Sequence, residues 1–157
     1  NGSGKSTLLR IILGITTPSK GLIERCNEDL KISYLGHKNA IKNYLTPIEN
    51  LELLFNDVEI KIAYEWLHKF NLSHFQDELS ASLSFGQQKK LALIRVLAQS
   101  PELIVLDEPF VGLDQTAADQ LNNFLEKQLS DGVGLIFTSH INPKISCKVL
   151  DIEAKNA

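Results

Sequence analysis

Apolar residues along the chain follow two rhythms, short unbroken runs and helical stripes. LIVLDEP, from Leu103 to Pro109, and GLIFTSH, from Gly134 to His140, are unbroken apolar runs that end in polar groups. Runs of that length and purity predict parallel strands buried on both faces, with their C-terminal ends meeting solvent. Leu22–Ile23 and Ile32–Leu35 predict two shorter strands around the polar turn NEDLK, and KVLDIEA, from Lys148, predicts a last strand near the edge. The helical stripes lie between these runs. Leu8 to Leu13 predicts a short helix that Gly14 stops. Val58, Ile62, Trp66 and Phe70 recur every four residues, and so form one packed face. Leu91, Ile94, Leu97 and Ala98 mark the inner face of a helix ending before Pro101. Ala118, Leu121, Leu125 and Leu129 mark another, closed by Asp131–Gly132. Thr46-Pro47-Ile48-Glu49 is a capping box with proline at the first helical position, a specific helix start.

Strands alternating with helices in the second half predict a parallel sheet with crossover helices. The stretch from about 40 to 79 is all-helical, and with the next helix it predicts a helical subdomain over about 40–100. That subdomain is inserted in an α/β core, the whole forming one domain over 1–157. A chain of 157 residues is long enough to bury a proper core.

Composition narrows the possible partners. A net charge of −3, with no run of lysine or arginine, disfavours a non-specific grip on nucleic acid. The longest apolar run, LLRIILGI, carries an arginine and is far short of a membrane span, so membrane work would pass through another subunit. Cys26 and Cys147 lack the spacing of a zinc site, which points to a reducing compartment.

Three stretches carry chemistry. Asn1 to Thr7, NGSGKST, is the second half of a phosphate-binding loop. In such a loop Gly2 and Gly4 let backbone N–H groups approach phosphates, Lys5 reaches the outer phosphates, and Ser6 can ligate Mg²⁺. Asp107, ending a buried strand, is placed to hold the magnesium shell, and Glu108 to orient or deprotonate a water. Leu83-Ser84-Phe85-Gly86-Gln87 opens a helix, with Ser84 as its N-cap, so hydroxyl and helix terminus can together face an anion.

Leu83–Gln87 resembles the LSGGQ signature of ABC-type ATPases and lies between the two nucleotide motifs, as it does in that family. Val111-Gly112-Leu113-Asp114 resembles the family's D-loop, and His140 its switch histidine. The resemblance covers nearly the whole chain. It implies a P-loop α/β fold and an enzyme that hydrolyses ATP with Mg²⁺ as the nucleotide-binding subunit of an ABC transporter. Lys5, Glu108 and His140 would be catalytic, with Ser6 and Asp107 on the metal. Asn1, Gly2, Ser3, Gly4, Lys5, Ser6, Thr7, His37, Ser84, Gly86, Gln87 and Asp114 would contact nucleotide. Two copies would sandwich ATP head to tail, and integral membrane subunits would be the other partners, with no nucleic acid. YLGHKNAIKNYLTPIENL, LSFGQQKKLAL and LDEPFVGLD are most similar to the ATP-binding subunits of the bacterial heme exporter of cytochrome c maturation. That narrower likeness implies heme-handling partners and a peripheral position on the cytoplasmic face of the inner membrane. Another ABC importer or exporter, or a soluble ABC-type clamp, remains the alternative.

Departures from the pattern carry their own expectations. Phe85 stands where the signature has glycine, so the site is expected to be tuned and not dead. His37 stands where most of the family has glutamine. Either its neutral imidazole replaces the amide near metal and water, giving a steeper acid-side loss of activity than His37→Gln, or it packs at the sheet–helix junction. The family's adenine platform and the strand leading into the glycine loop would fall before Asn1. A chain starting at Asn1 is therefore expected to bind ATP weakly and to associate through open strand edges.

Overall fold

The structure is a computed structural model and describes residues 4–24, 27, 29–140 and 145–152. Helix α1 (Lys5–Ile12) starts directly after Gly4, which takes a left-handed φ of 82°. It ends in a Schellman turn, with Gly14 at φ 73° and the Ile15 N–H reaching back to the Arg10 carbonyl at 2.9 Å. β1 (Ile32–Leu35) follows, then α2 (Pro47–Glu52) and α3 (Glu59–Lys69). After two short 3₁₀ turns come α4 (Phe85–Leu97), β2 (Leu103–Asp107), α5 (Gln115–Ser130) and β3 (Gly134–Thr138). The strands form one parallel sheet in the order β1-β2-β3, with Leu35 opposite Leu106 and Asp107 opposite Thr138.

The expected caps are built as read. Thr46 accepts from the Glu49 N–H at 3.2 Å and the Glu49 carboxylate returns to the Thr46 N–H at 2.8 Å. α4 repeats the device, with Gln87 N–H to Ser84 Oγ at 3.3 Å and Ser84 N–H to Gln87 Oε1 at 2.7 Å. Each box satisfies two backbone donors that a helix start leaves open.

α4 organises the interior. Leu91, Ala92, Leu93 and Ile94 are all fully buried, so this turn of the helix is apolar around its whole circumference. A helix of that kind needs cover on every side. It packs on β1 and on α3, and this contact joins the helical segment and the sheet in one core. Trp66 of α3 meets Phe70 in a tilted pair at 5.3 Å and Phe124 of α5 edge-on at 5.7 Å.

Several expectations change. Leu22 to Glu24 form no strand, and Leu22 is exposed. Residues 145–152 form none either, although two of the last residues of KVLDIEA lie outside the described residues. An isolated apolar pair without a neighbour to bond supplies too little pairing to hold a strand. Val58 precedes α3 and is exposed, so the α3 face is Ala63, Trp66, Leu67 and Phe70. On α5, Ala117 takes the buried place expected for Ala118, and Leu129 reaches solvent at the fraying end.

Candidate functional site

Parallel strands put their carboxyl ends on one edge, and helix N-termini that meet that edge bring positive potential to it. A cleft lies there, with a volume of about 550 Å³. Gly4, Lys5, Ser6 and Thr7 line it from the start of α1, and His37 from the turn after β1. Asp107 and Glu108 enter from the end of β2, and His140 from just beyond β3. Residues far apart in sequence and expected to act together thus share one wall-to-wall space. Asn1, Gly2 and Ser3 lie outside the described residues. α1 has no side-chain cap, and its N-terminal turn lines the cleft.

The acidic pair is held by a hydroxyl that sequence reading passed over. Thr138 is buried at the end of β3, in register with Asp107. Its hydroxyl accepts the Glu108 N–H at 2.9 Å and donates to Asp107 Oδ1 at 2.7 Å. Glu108 sits at φ 49°, an uncommon value for a residue with a Cβ, and this turns the chain sharply at the strand end. Only the register between β2 and β3 makes Thr138 special; in sequence it is one more β-branched strand residue.

Asp107 is almost wholly buried, yet its Oδ2 has no hydrogen-bond partner. Glu108 Oε1 lies 3.1 Å from His140 Nε2, an ion-pair distance without hydrogen-bond alignment, so this buried oxygen is also unpartnered. Two carboxylate oxygens left open in a cleft are costly unless a ligand or cation completes them. Hard oxygen donors of this kind fit Mg²⁺, which is held by one or two carboxylates together with phosphate oxygens. Ser6 supplies a hydroxyl on the same cleft. No group of three or more histidine, cysteine or acidic residues with metal-binding geometry occurs among the described residues.

Ser84, Gly86, Gln87 and Asp114 do not line the cleft; they form its neighbouring rim. Ser84 is exposed at the α4 N-terminus, its Oγ accepting from Gln87 and its proton left to donate outward. A Cβ on Gly86 would come within 2.6 Å of the Gly112 carbonyl oxygen, so this glycine lets the 111–114 loop lie against the helix start. Asp114 caps α5 through the Ala117 N–H at 2.9 Å and binds Lys90 Nζ at 2.5 Å. That ammonium, with the backbone bond, holds the Asp114 carboxyl below its usual range.

Three cleft residues were not expected: Phe85, Lys89 and Val111. Phe85 is largely exposed and lays its ring over Gly112, where a Cβ would meet the ring at 2.6 Å. Lys89 is 3% exposed, and burial pushes its ammonium below the ordinary lysine range while Asp107 and Glu108 oppose that shift. No sequence signal short of its place on the inner side of α4 could have singled it out.

Comparison with known proteins gives consistent results. Residues 1–111 match the family model described as ABC transporter. The cytochrome c biogenesis ATP-binding export protein CcmA of Idiomarina loihiensis is 36% identical over 151 residues, covering 89% of this chain and 69% of that protein. Its counterpart in Sodalis glossinidius is 37% identical over 155 residues, covering 89% and 72%. Among solved structures, an ATP-binding subunit of an ABC transporter superposes with a TM-score of 0.77 at 27% identity, over 90% of this chain and 65% of that one. A bacterial ABC transporter cassette solved as a dimer gives 0.73 at 29%, over 90% and 72%.

Proposed function

The chain belongs to the ABC transporter family as an ATP-hydrolysing nucleotide-binding subunit, and from that premise we propose that it powers the heme-exporting complex of cytochrome c maturation. The hydrolytic part of the reading rests on one observation: Lys5 and Ser6 share a cleft with Asp107, Glu108 and His140. A triphosphate laid on the α1 N-terminus would meet Lys5 at its outer phosphates, with Gly4, Ser6 and Thr7 beside it. Mg²⁺ would take Ser6 and the open Asp107 Oδ2, and would neutralise charge on the phosphates. A water between Glu108 and the γ-phosphorus would attack in line, its proton going toward Glu108. The bond to the β–γ bridging oxygen breaks and ADP leaves with inorganic phosphate. His140, beside Glu108, would hold the γ-phosphate oxygens, and Thr138 would keep both carboxylates aimed. Positioning and fixed charge account for most of the acceleration in such a transfer.

The rim supports a head-to-tail dimer. Ser84, Gly86 and Gln87 at the exposed start of α4, with Asp114 beside them, would close over the nucleotide of a second copy. The helical subdomain over about 40–100, with the loop that begins at His37, would transmit that closure to integral membrane subunits. The chain would thus sit peripherally on the cytoplasmic face of the inner membrane, with heme-handling proteins in the same complex. The narrow assignment draws on the CcmA proteins, to which the chain is similar over most of its length.

Glu108→Gln in the full-length protein tests both levels. Turnover should fall by about a hundredfold or more, as loss of a general base does, and size-exclusion chromatography with ATP should show a trapped dimer. In cells the same change should abolish covalent heme attachment to c-type cytochromes. Retained turnover would refute the catalytic reading; lost turnover with normal cytochrome c would refute the assignment to heme export.

A further inference from the structure

We propose that Lys90 is a clasp that ties the segment from Glu108 to Asp114 to the end of α3, and that a second copy of the chain docks on the segment so held. The docking half rests on the head-to-tail dimer proposed above. Lys90 Nζ lies 2.5 Å from Asp114 Oδ2 and donates to the Phe70 carbonyl at 3.4 Å. Phe70 caps the C-terminus of α3, so that carbonyl belongs to the negative end of a helix dipole. Gln120 of α5 donates to the neighbouring Lys69 carbonyl at 3.3 Å. Side chains of α4 and α5 thus close an end at which helices leave carbonyls open. The Asp114 carboxylate and the α3 carbonyls are both negative and would repel; one ammonium between them turns that repulsion into a charge-assisted link.

The segment is held at both ends. Thr138 accepts the Glu108 N–H at 2.9 Å, and Lys90 grips Asp114, which also caps α5. Between them the Val111 and Leu113 N–H groups turn back on the carbonyls of Glu108 and Phe110, at 3.4 and 3.3 Å. Gly86 lies one turn before Lys90 on the same face of α4, and a Cβ there would stand 2.6 Å from the Gly112 carbonyl oxygen. One face of α4 therefore meets this segment twice, by close approach and by charge. The Lys90 side chain is only 12% exposed, whereas Asp114 is 57% exposed and Val111 faces solvent. The clasp is sunk below the rim and the rim stays open to a partner. Lys90 is a positioning residue: it spends the ordering cost of the rim before a second copy arrives, which favours docking.

The test uses full-length protein carrying Glu108→Gln, with ATP and Mg²⁺ as the probe and sedimentation velocity to measure dimer. Lys90→Met keeps the apolar stem and removes the charge. One part-exposed ion pair is worth roughly threefold, and a symmetric dimer contains the clasp twice. The ATP concentration at half-dimerisation should therefore rise about tenfold in Lys90→Met. ATP affinity of the monomer, measured at protein concentrations too low for dimer, should stay within about twofold, because Lys90 does not line the cleft. Lys90→Arg should come close to restoring the midpoint, and Lys90→Met should lose most of its effect in an Asp114→Asn background. An unmoved midpoint, an equal effect with and without Asp114, or an equal loss of monomer affinity would overturn the proposal. If Lys90→Met alone does not fold, recovery of a folded Lys90→Met/Asp114→Asn protein supports the clasp, and failure of both overturns it. Absence of an ATP-dependent dimer in Glu108→Gln itself would refute the dimer reading, and the docking half of this proposal with it.

Discussion

Thr138→Val isolates the hydroxyl that joins the two carboxylate-bearing positions. Valine keeps the branched shape of threonine, so strand propensity and packing volume at the end of β3 are nearly preserved. The Glu108 N–H, bonded to the hydroxyl at 2.9 Å, and Asp107 Oδ1, bonded at 2.7 Å, would both lose their partner. Asp107 Oδ2 already lacks one, so the buried carboxylate would have no partner among the bonds described for it. Each buried polar group left unsatisfied costs roughly 1–3 kcal/mol, and a charged one falls at the upper end. The two together should cost about 3 kcal/mol, a large share of a total stability of about 5–15 kcal/mol. For a domain of this size that is a fall of roughly 6–12 °C in Tm. Equilibrium urea unfolding checks the cost, with Thr138→Ser as the control that keeps the hydroxyl and loses a methyl. ATPase activity should fall with Thr138→Val even well below its Tm, because both carboxylates lose their aim. A Thr138→Val protein as stable as native, or one no weaker than Thr138→Ser, would show that the hydroxyl bridge does not hold the site.

Gly86→Ala gives a test of sign. Alanine in a helix is favoured over glycine by about 1 kcal/mol, but its Cβ would stand 2.6 Å from the Gly112 carbonyl oxygen. Overpacking against backbone should cost about 1–3 kcal/mol and win, so a lowered urea midpoint is expected and a raised one contradicts the contact. Asp114→Asn keeps an N-cap residue but loses the bond to Lys90. Asp114 titrates below its ordinary value when folded, so its contribution is present above the unfolded carboxyl value and fades as pH falls through the folded one. The group is more than half exposed, which limits the pair to about 1 kcal/mol. Urea midpoints of native and Asp114→Asn proteins should therefore differ at about pH 6, above the ordinary carboxyl range, and converge as pH falls through the folded carboxyl value. A gap that stays constant would rule out the ion pair as its source.

Most of what acts locally was legible in the sequence. The capping box at Thr46 and the N-cap at Ser84 need only a few consecutive residues, and both form as read, Ser84 with the full box. The unbroken runs of β2 and β3 were legible as parallel strands and do pair in parallel, but only β2 is buried as read; β3 is half-buried except at Thr138. Grouping Lys5, Asp107, Glu108 and His140 was possible because each follows a glycine loop or ends a buried strand, and strand ends of a parallel sheet share an edge. Only the tertiary structure decided the rest. Leu22–Ile23 carried strand-like residues but found no neighbouring strand, and side chains cannot supply the missing ladder. Thr138 gained its role from register across β2 and β3, a relation between chain segments that no local pattern contains. Lys89 reads as one of two adjacent surface lysines. Folding turns one into the cleft and the other toward Asp114, because consecutive helix positions point about 100° apart.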